Sequence, residues 1–398
     1  MMMSTGDFHL TLPKNSLVQQ TSPTFASGNT EAPRKSRQNK QRCKKRQEEK
    51  AKHGFRPSAA AIRRYVVDST KIHIPIDCAT LLAARVGYRT RNTNISAAQA
   101  AYNEQALLSG HGFKFLDWNG VDPLLVIDNK DRIAIALVGP PKTEDFQTRT
   151  HSIHQALLAE GLLFKESNAH SCGENVVVNA GVTYGKGTRE PVSLDTKKNG
   201  AVASRLLSNR DIQRLSWFAS SSLALYAPKL YSHCRAKLNT LPVQFPRLAP
   251  FFPDSSKVFP ATAFDLGPGT SAQKNRTALN HPYGWSATQA FGQFDPTKGG
   301  QLVFWEPRLI VQFPPGALVL HPAAMITVTT TPVNEGETRT SMTQYIPASL
   351  FQYVESGFRS AKELKVHNAV VHQGDSKSGA DKWRMGLDLF TTLDELPK

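Results

Sequence analysis

From Tyr283 to Phe351 the chain breaks into short apolar runs divided by strong turn signals. Asp295-Pro296-Thr297-Lys298-Gly299-Gly300 and Pro314-Pro315-Gly316 are turn sequences, and they flank the runs LVFW, LIVQF and ALVLH. Proline presets the backbone for a turn and glycine admits positive φ, so each such stretch ends one strand and starts the next. Short strands at this spacing predict a jelly roll or a similar β-barrel.

The sequence before this region reads differently. Ser96 to Ser109 has helix-forming composition, with a serine suited to the N-cap and Gly110 suited to end the helix. Pro123 to Val138 is two β-prone runs around the turn Asp128-Asn129-Lys130-Asp131, a hairpin pattern. Helices are expected from about Thr150 to Glu160, stopped by Gly161, and from Asp211 to Tyr226, stopped before Pro228. Gly181 to Gly187 has the wrong glycine spacing for a phosphate loop, and it reads as a strand and turn.

The expected fold class is therefore α+β: a double-stranded β-helix (jelly-roll) barrel, an α/β N-terminal region and a disordered basic N-terminal tail. The boundaries are 1–57 for the tail, 58–256 for the α/β region, 257–358 for the barrel and 359–398 for a C-terminal tail. Within the last, Trp383 to Phe390 is a candidate docking segment. With 398 residues, 40% of them hydrophobic, there is enough apolar material for a sizeable core.

The charge is concentrated at one end. Of a formal +16, the stretch from Arg34 to Arg56 holds Arg34, Lys35, Arg37, Lys40, Arg42, Lys44, Lys45, Arg46, Lys50, Lys52 and Arg56 against only Glu48 and Glu49. Eleven positives less two negatives leaves +9 in this stretch. Such a run gains affinity for phosphates by releasing counterions and has no base-specific side chains, so it is expected to bind DNA nonspecifically and to direct nuclear import. The alternative is a solvated linker. No apolar run approaches the ~20 residues of a membrane span, so no membrane partner is expected, and protein partners are not indicated. Cys43, Cys78, Cys172 and Cys234 form no C-x-x-C pair, which argues for free thiols over a zinc knuckle or disulfide framework.

The blocks VFPATAFDLGP (Val258 to Pro268), YGW (Tyr283 to Trp285), GQFDPTKGGQLVFWE (Gly292 to Glu306), FPPGALVLHPAA (Phe313 to Ala324), GETRTSMTQY (Gly336 to Tyr345) and LFQYVESGF (Leu350 to Phe358) resemble the C-terminal half of the Tet/JBP-like dioxygenases. These are abundant in mushroom-forming fungi, often beside transposons. Upstream, GVTYGKG and the hairpin at 126–141 are similar to N-terminal blocks of the same family, so the resemblance covers most of 115–360. It implies a fold similar to other double-stranded β-helix dioxygenases, whose Tet/JBP-like members oxidise 5-methylpyrimidines in DNA with Fe(II), 2-oxoglutarate and oxygen.

In that family two ligands form His-x-Asp ahead of the YGW-like block, and the matching residues here are Asn275-Arg276-Thr277. The third ligand falls at Val328, eleven residues before Arg339, while Arg339 occupies the place of the arginine that pairs with the distal carboxylate of 2-oxoglutarate. Asn275 and Thr277 offer only neutral oxygens and Val328 offers no lone pair, so iron and 2-oxoglutarate are not expected as working cofactors. A triad rebuilt from His281, His321 and Asp265 is the alternative, and it would restore Fe(II)- and 2-oxoglutarate-dependent oxidation of 5-methylcytosine. A third reading is a decaying transposon-linked product without a selected role. Trp285, Phe291, Phe304 and Trp305 are expected in the core, with base stacking as the alternative. For Arg339 the plain alternative is a salt bridge to Glu337 or Glu306.

Overall fold

The computed structural model describes residues 32–81, 108, 112–167, 176–185, 187–194, 199–269, 280–360, 363 and 379–397. The helix expected over Ser96–Ser109 lies outside them, apart from Leu108. The chain divides into two compact units, 1–47 and 48–398.

The first correction is to the N-terminal tail. Where disorder was expected across 1–57, a helix, α1, runs over Ala32–His53. Arg, Lys, Gln, Glu and Ala are all good helix formers, and like-charge neighbours on a helix cost only tenths of a kcal/mol per pair, so a basic run does not preclude a helix. The second unit starts at Glu48. The last turn of α1 is bound into that unit: Lys50 pairs with Asp254 at 3.2 Å, and the Ala51 carbonyl accepts from Arg235 Nη2 at 2.7 Å and Ser255 Oγ at 2.8 Å. Capping by Arg235 also sets a cation at the negative end of the helix dipole.

The strands are β1 (Thr70–His73), β2 (Lys114–Leu116), β3 (Leu124–Ile127), β4 (Ile133–Val138), β5 (Val177–Thr183), β6 (Val192–Ser193), β7 (Ala261–Asp265), β8 (Ser286–Gln293), β9 (Leu302–Phe304), β10 (Leu309–Val311), β11 (Leu318–His321), β12 (Val328–Thr330) and β13 (Thr338–Tyr345). Among the described residues they form a nine-stranded sheet, ordered β1-β3-β4-β11-β8-β13-β7-β5-β6, and a four-stranded sheet, ordered β12-β9-β10-β2. The expected hairpin is β3 and β4, and the LVFW, LIVQF and ALVLH runs are β9, β10 and β11. From β7 onward the chain alternates between sheets: β7 and β8 in the large one, β9 and β10 in the small, β11 in the large, β12 in the small, β13 in the large.

Three helices, α2 (Phe146–Ser167), α3 (Gly200–Ser208) and α4 (Arg210–Tyr226), cover one face of the large sheet. Ile153, Leu157, Val202, Leu206, Ile212 and Leu215 bury against Val178, Phe264, Phe291 and Met342. Gly161 does not stop α2 as expected. It lies inside the helix, where a Cβ would stand 3.0 Å from the Leu266 carbonyl, so glycine is there to bring helix and strand end together. Pro228 does end α4, and it opens the next helix, α5 (Pro228–Leu238), at a position where its missing N–H costs nothing. Helix α6 (Ala348–Glu355) follows β13. The C-terminal segment docks as α7 (Gly379–Leu387), burying Trp383, Leu387 and Phe390, with the Phe390 ring edge-on to Trp285 at 5.6 Å.

Side chains alternate across a strand, so the opposite face of the large sheet follows from register. Asp265 and Ala263 on β7, Arg339, Ser341, Thr343 and Tyr345 on β13, Gly292, Ala290, Thr288 and Ser286 on β8, and His321 on β11 share it. These residues are small or polar, and Ala263, Asp265, Thr288, Gly292, Thr343 and Tyr345 are only half-buried. The small sheet meets this inward face at the β11 side, where Phe304 of β9 lies edge-on to the His321 ring at 5.6 Å.

Candidate functional site

Arg339 lies near the start of β13, on the inward face. It is 3% exposed, its Nε has no hydrogen-bond partner, and its guanidinium sits 5.9 Å from the centroid of the Phe294 ring. Burial lowers its pKa to about 10, an effect that the Asp265 carboxylate opposes. Neither proposed salt-bridge partner reaches it. The Glu337 carboxylate accepts from the Asp295 and Asn334 amides at 2.8 and 2.9 Å, and the Glu306 carboxylate accepts from the Thr327 amide and hydroxyl, both at 2.7 Å. Arg339 is thus a buried cation on the inward face whose Nε is left without a hydrogen-bond partner, which suits an anionic ligand group.

The strand that carries it is fixed from behind. His154 on α2 is 1% exposed, with Nδ1 3.0 Å from Thr340 Oγ1 and Nε2 3.0 Å from Thr338 Oγ1, the residues on either side of Arg339. The Arg339 amide donates to the Pro268 carbonyl at 2.7 Å. His154 gave no sign in the sequence, being separated from its partners by 184 and 186 residues. Ser341, two residues beyond Arg339 and on the same face, was within reach of a period-two reading.

Of the positions that the motif blocks align with iron ligands, only Val328 lies among the described residues, and a valine side chain has no atom that ligates a metal. Val328 opens β12 opposite Phe304, and it packs half-buried against the main core. It shares the inward face of the small sheet with Phe304, and there its isopropyl group has nothing to donate. Asn275 and Thr277 lie outside the described residues.

The alternative triad is not brought together. His321 lies opposite Ser286 and Asp265 opposite Ser341, three strands across and four residues along, a path on the order of 20 Å over the sheet. His281 is in another place again, between Tyr283 and Phe351 with ring centroids at 4.0 and 4.1 Å. It is fully buried, neither ring nitrogen has a hydrogen-bond partner, and burial pushes its pKa down to about 3. Burial takes His321 down to about 4. Among the described residues no group of three or more His, Cys, Asp or Glu is placed to hold a metal ion.

Of the cations in the first unit, Lys40, Arg42, Lys44 and Lys45 are exposed on α1, and the side chains of Arg34, Lys35, Arg37 and Arg46 lie outside the described residues. Residues 32–47 contain these eight cations and no acidic residue. Trp285, Phe291 and Phe304 are buried in the core. Trp305 is half-buried, donating from Nε1 to Thr329 Oγ1 at 3.1 Å, with Phe113 edge-on at 5.4 Å. Cys78 and Cys234 are free, buried thiols, both pushed up in pKa by burial, and the side chains of Cys43 and Cys172 lie outside the described residues. No described helix is long and apolar enough to cross a membrane.

No family model matches the chain, and no curated protein does. Among solved structures it is similar to NgTET1 in complex with 5mC DNA, with 12% identity and a TM-score of 0.43 over 67% of this chain and 100% of that one. It is also similar to AviO1 from Streptomyces viridochromogenes Tue57, with 14% identity and a TM-score of 0.28 over 55% of this chain and 92% of that one. A third is an oxidoreductase of the 2OG-Fe(II) oxygenase family from Burkholderia pseudomallei, with 13% identity and a TM-score of 0.24 over 48% of this chain and 78% of that one.

Proposed function

We propose that this chain is a non-catalytic, Tet/JBP-like double-stranded β-helix protein that binds DNA through the basic stretch of α1. The alternation of β7 to β13 between two sheets supports the jelly-roll reading, and the motif blocks support the family. The observation that carries the non-catalytic reading is the pair of inward-facing residues Arg339 and Val328. The Arg339 guanidinium is buried, and the position that the motif blocks align with a metal ligand carries the hydrocarbon side chain of Val328. The barrel survives such a change because strands and turns hold it together, independently of a metal. Eight cations without an acid over 32–47 supply affinity for phosphates, and the same run supports nuclear entry.

The test is made on the purified full chain. Iron analysis after anaerobic loading is expected to find no stoichiometric Fe(II), and 5-methylcytosine DNA with 2-oxoglutarate is expected to remain unoxidised. Iron-dependent oxidised base would establish the enzyme reading instead. Duplex binding is expected to give a log-log salt slope of roughly −5 to −7, alike for methylated and unmethylated DNA, because a basic helix neutralises on the order of 5 to 8 phosphates. A shallow slope, or preference for methylated duplex, would move recognition from α1 to the barrel.

A further inference from the structure

Trp217 is 42% exposed, and it is the sole aromatic among the large apolar side chains that the described residues leave exposed. It lies on α4 off the buried face made by Ile212, Leu215, Ala219 and Leu223. Two ammonium groups stand over its ring, Lys50 at 4.0 Å and Lys257 at 5.5 Å from the centroid.

The two lysines are not equivalent. Asp254 is spent on Lys50 at 3.2 Å and on the Ser256 amide and hydroxyl at 2.8 and 2.6 Å. Lys257 is half-buried and forms no ion pair or side-chain hydrogen bond, and burial lowers its pKa. Arg235 beside them gives its guanidinium to the carbonyls of Ala51, Lys52 and Ser255, so its charge is uncompensated too. Lys50, Lys257 and Arg235 thus gather around one carboxylate, Asp254, which is already paired with Lys50, while Glu49 on α1 lies 3.8 Å from His53. The anchoring of the last turn of α1 holds Lys50 in place over the indole.

An exposed indole with Lys50 held over its ring and the unpaired Lys257 ammonium 5.5 Å from its centroid has the two parts that hold unpaired nucleic acid: a π-surface for a base and a charge for the phosphate beside it. We propose that Trp217, Lys257 and Lys50 form a stacking site on the folded body for an unpaired base of single-stranded nucleic acid, with Lys257 taking the adjacent phosphate. The inference rests on the reading of the chain as a nucleic-acid binder, yet the two fail separately. The salt slope on duplex reports α1, and the difference between single strand and duplex reports Trp217.

The test uses the full chain with oligothymidine of about 20 nucleotides and a duplex of equal length, both at fixed salt. Binding of the single strand is expected to quench the tryptophan emission of the wild-type protein. Trp217→Ala is expected to weaken single-strand binding about five- to 50-fold and leave duplex binding within about twofold, while Trp217→Phe keeps most of the affinity. Lys257→Gln is expected to weaken single-strand binding and reduce its salt slope by about one. The site is refuted by an equal loss on duplex, by no loss with Trp217→Ala, by absence of quenching, or by polyglutamate competing as well as oligothymidine. Polyglutamate success would mark a general cation patch for acidic peptides.

Discussion

Gly292 lies directly opposite Arg339 across β8 and β13, and a Cβ on it would stand 3.0 Å from Arg339 Cα and 2.1 Å from the Thr338 carbonyl oxygen. Its φ of +142° is one that side chains with a Cβ rarely adopt. Gly292→Ala is therefore expected to destabilise the protein by about 2 kcal/mol or more, because both the conformation and the close approach are lost. Urea denaturation checks this, and a change under about 0.5 kcal/mol would mean that the strands do not need glycine there.

Three buried histidines set a dependence on pH. His281, His321 and His154 all have pKa values lowered by burial, to about 3 and about 4 for the first two, so the unfolded chain takes up their protons first. Stability is then full above about pH 6.5 and falls as the pH drops, by about 1.4 kcal/mol per unit for each ring that stays neutral in the fold. His321 contributes down to about 4 and His281 down to about 3. His281→Phe keeps an aromatic between Tyr283 and Phe351 and is expected to make the fall less steep. Superimposable pH profiles for the two proteins would sink this account of His281.

Arg339→Met separates a ligand-binding arginine from a structural one. A buried guanidinium with an unpartnered Nε costs stability, so the variant is expected to match the wild type or exceed it by about 1 to 3 kcal/mol in thermal or urea denaturation. Wild-type protein is expected to bind a dicarboxylate such as 2-oxoglutarate only weakly, because one charge-assisted pair contributes roughly 1.5 to 3 kcal/mol, and the variant is expected to lose even that. Destabilisation above about 2 kcal/mol would make the arginine a structural element.

The docking of α7 depends on Gly386, where a Cβ would stand 2.1 Å from Tyr283 Cδ1. Gly386→Val is expected to lift the segment off Tyr283 and Trp285 and to cost about 1 to 3 kcal/mol, with faster proteolysis after Lys382 or Arg384. Unchanged proteolysis would show that the ring yields instead.

Many of the strands are legible in the sequence because their signals are local. Turn residues and alternation place β3, β4 and β9 to β11 within a few residues of where they lie. Arg339 could be singled out by its motif block, and its inward direction follows from period-two alternation. The parallel edges, β1 on β3 and β2 on β10, had no local signal, since their register is set by partners far along the chain. The same is true of His154 behind β13. The charge density of α1 masks its helix propensity in the sequence, and Gly161, which permits close packing inside α2, looks in sequence like a glycine that ends a helix.

The large sheet turns its oily side to the helices and its small, hydroxyl-bearing side to the barrel interior. Cohesion and chemistry are therefore written on opposite sides of the same strands. A substitution on the inward side can alter what the interior binds without disturbing what Phe264, Phe291 and Met342 hold in place on the other side. A scaffold divided in this way can change its ligand while keeping its fold.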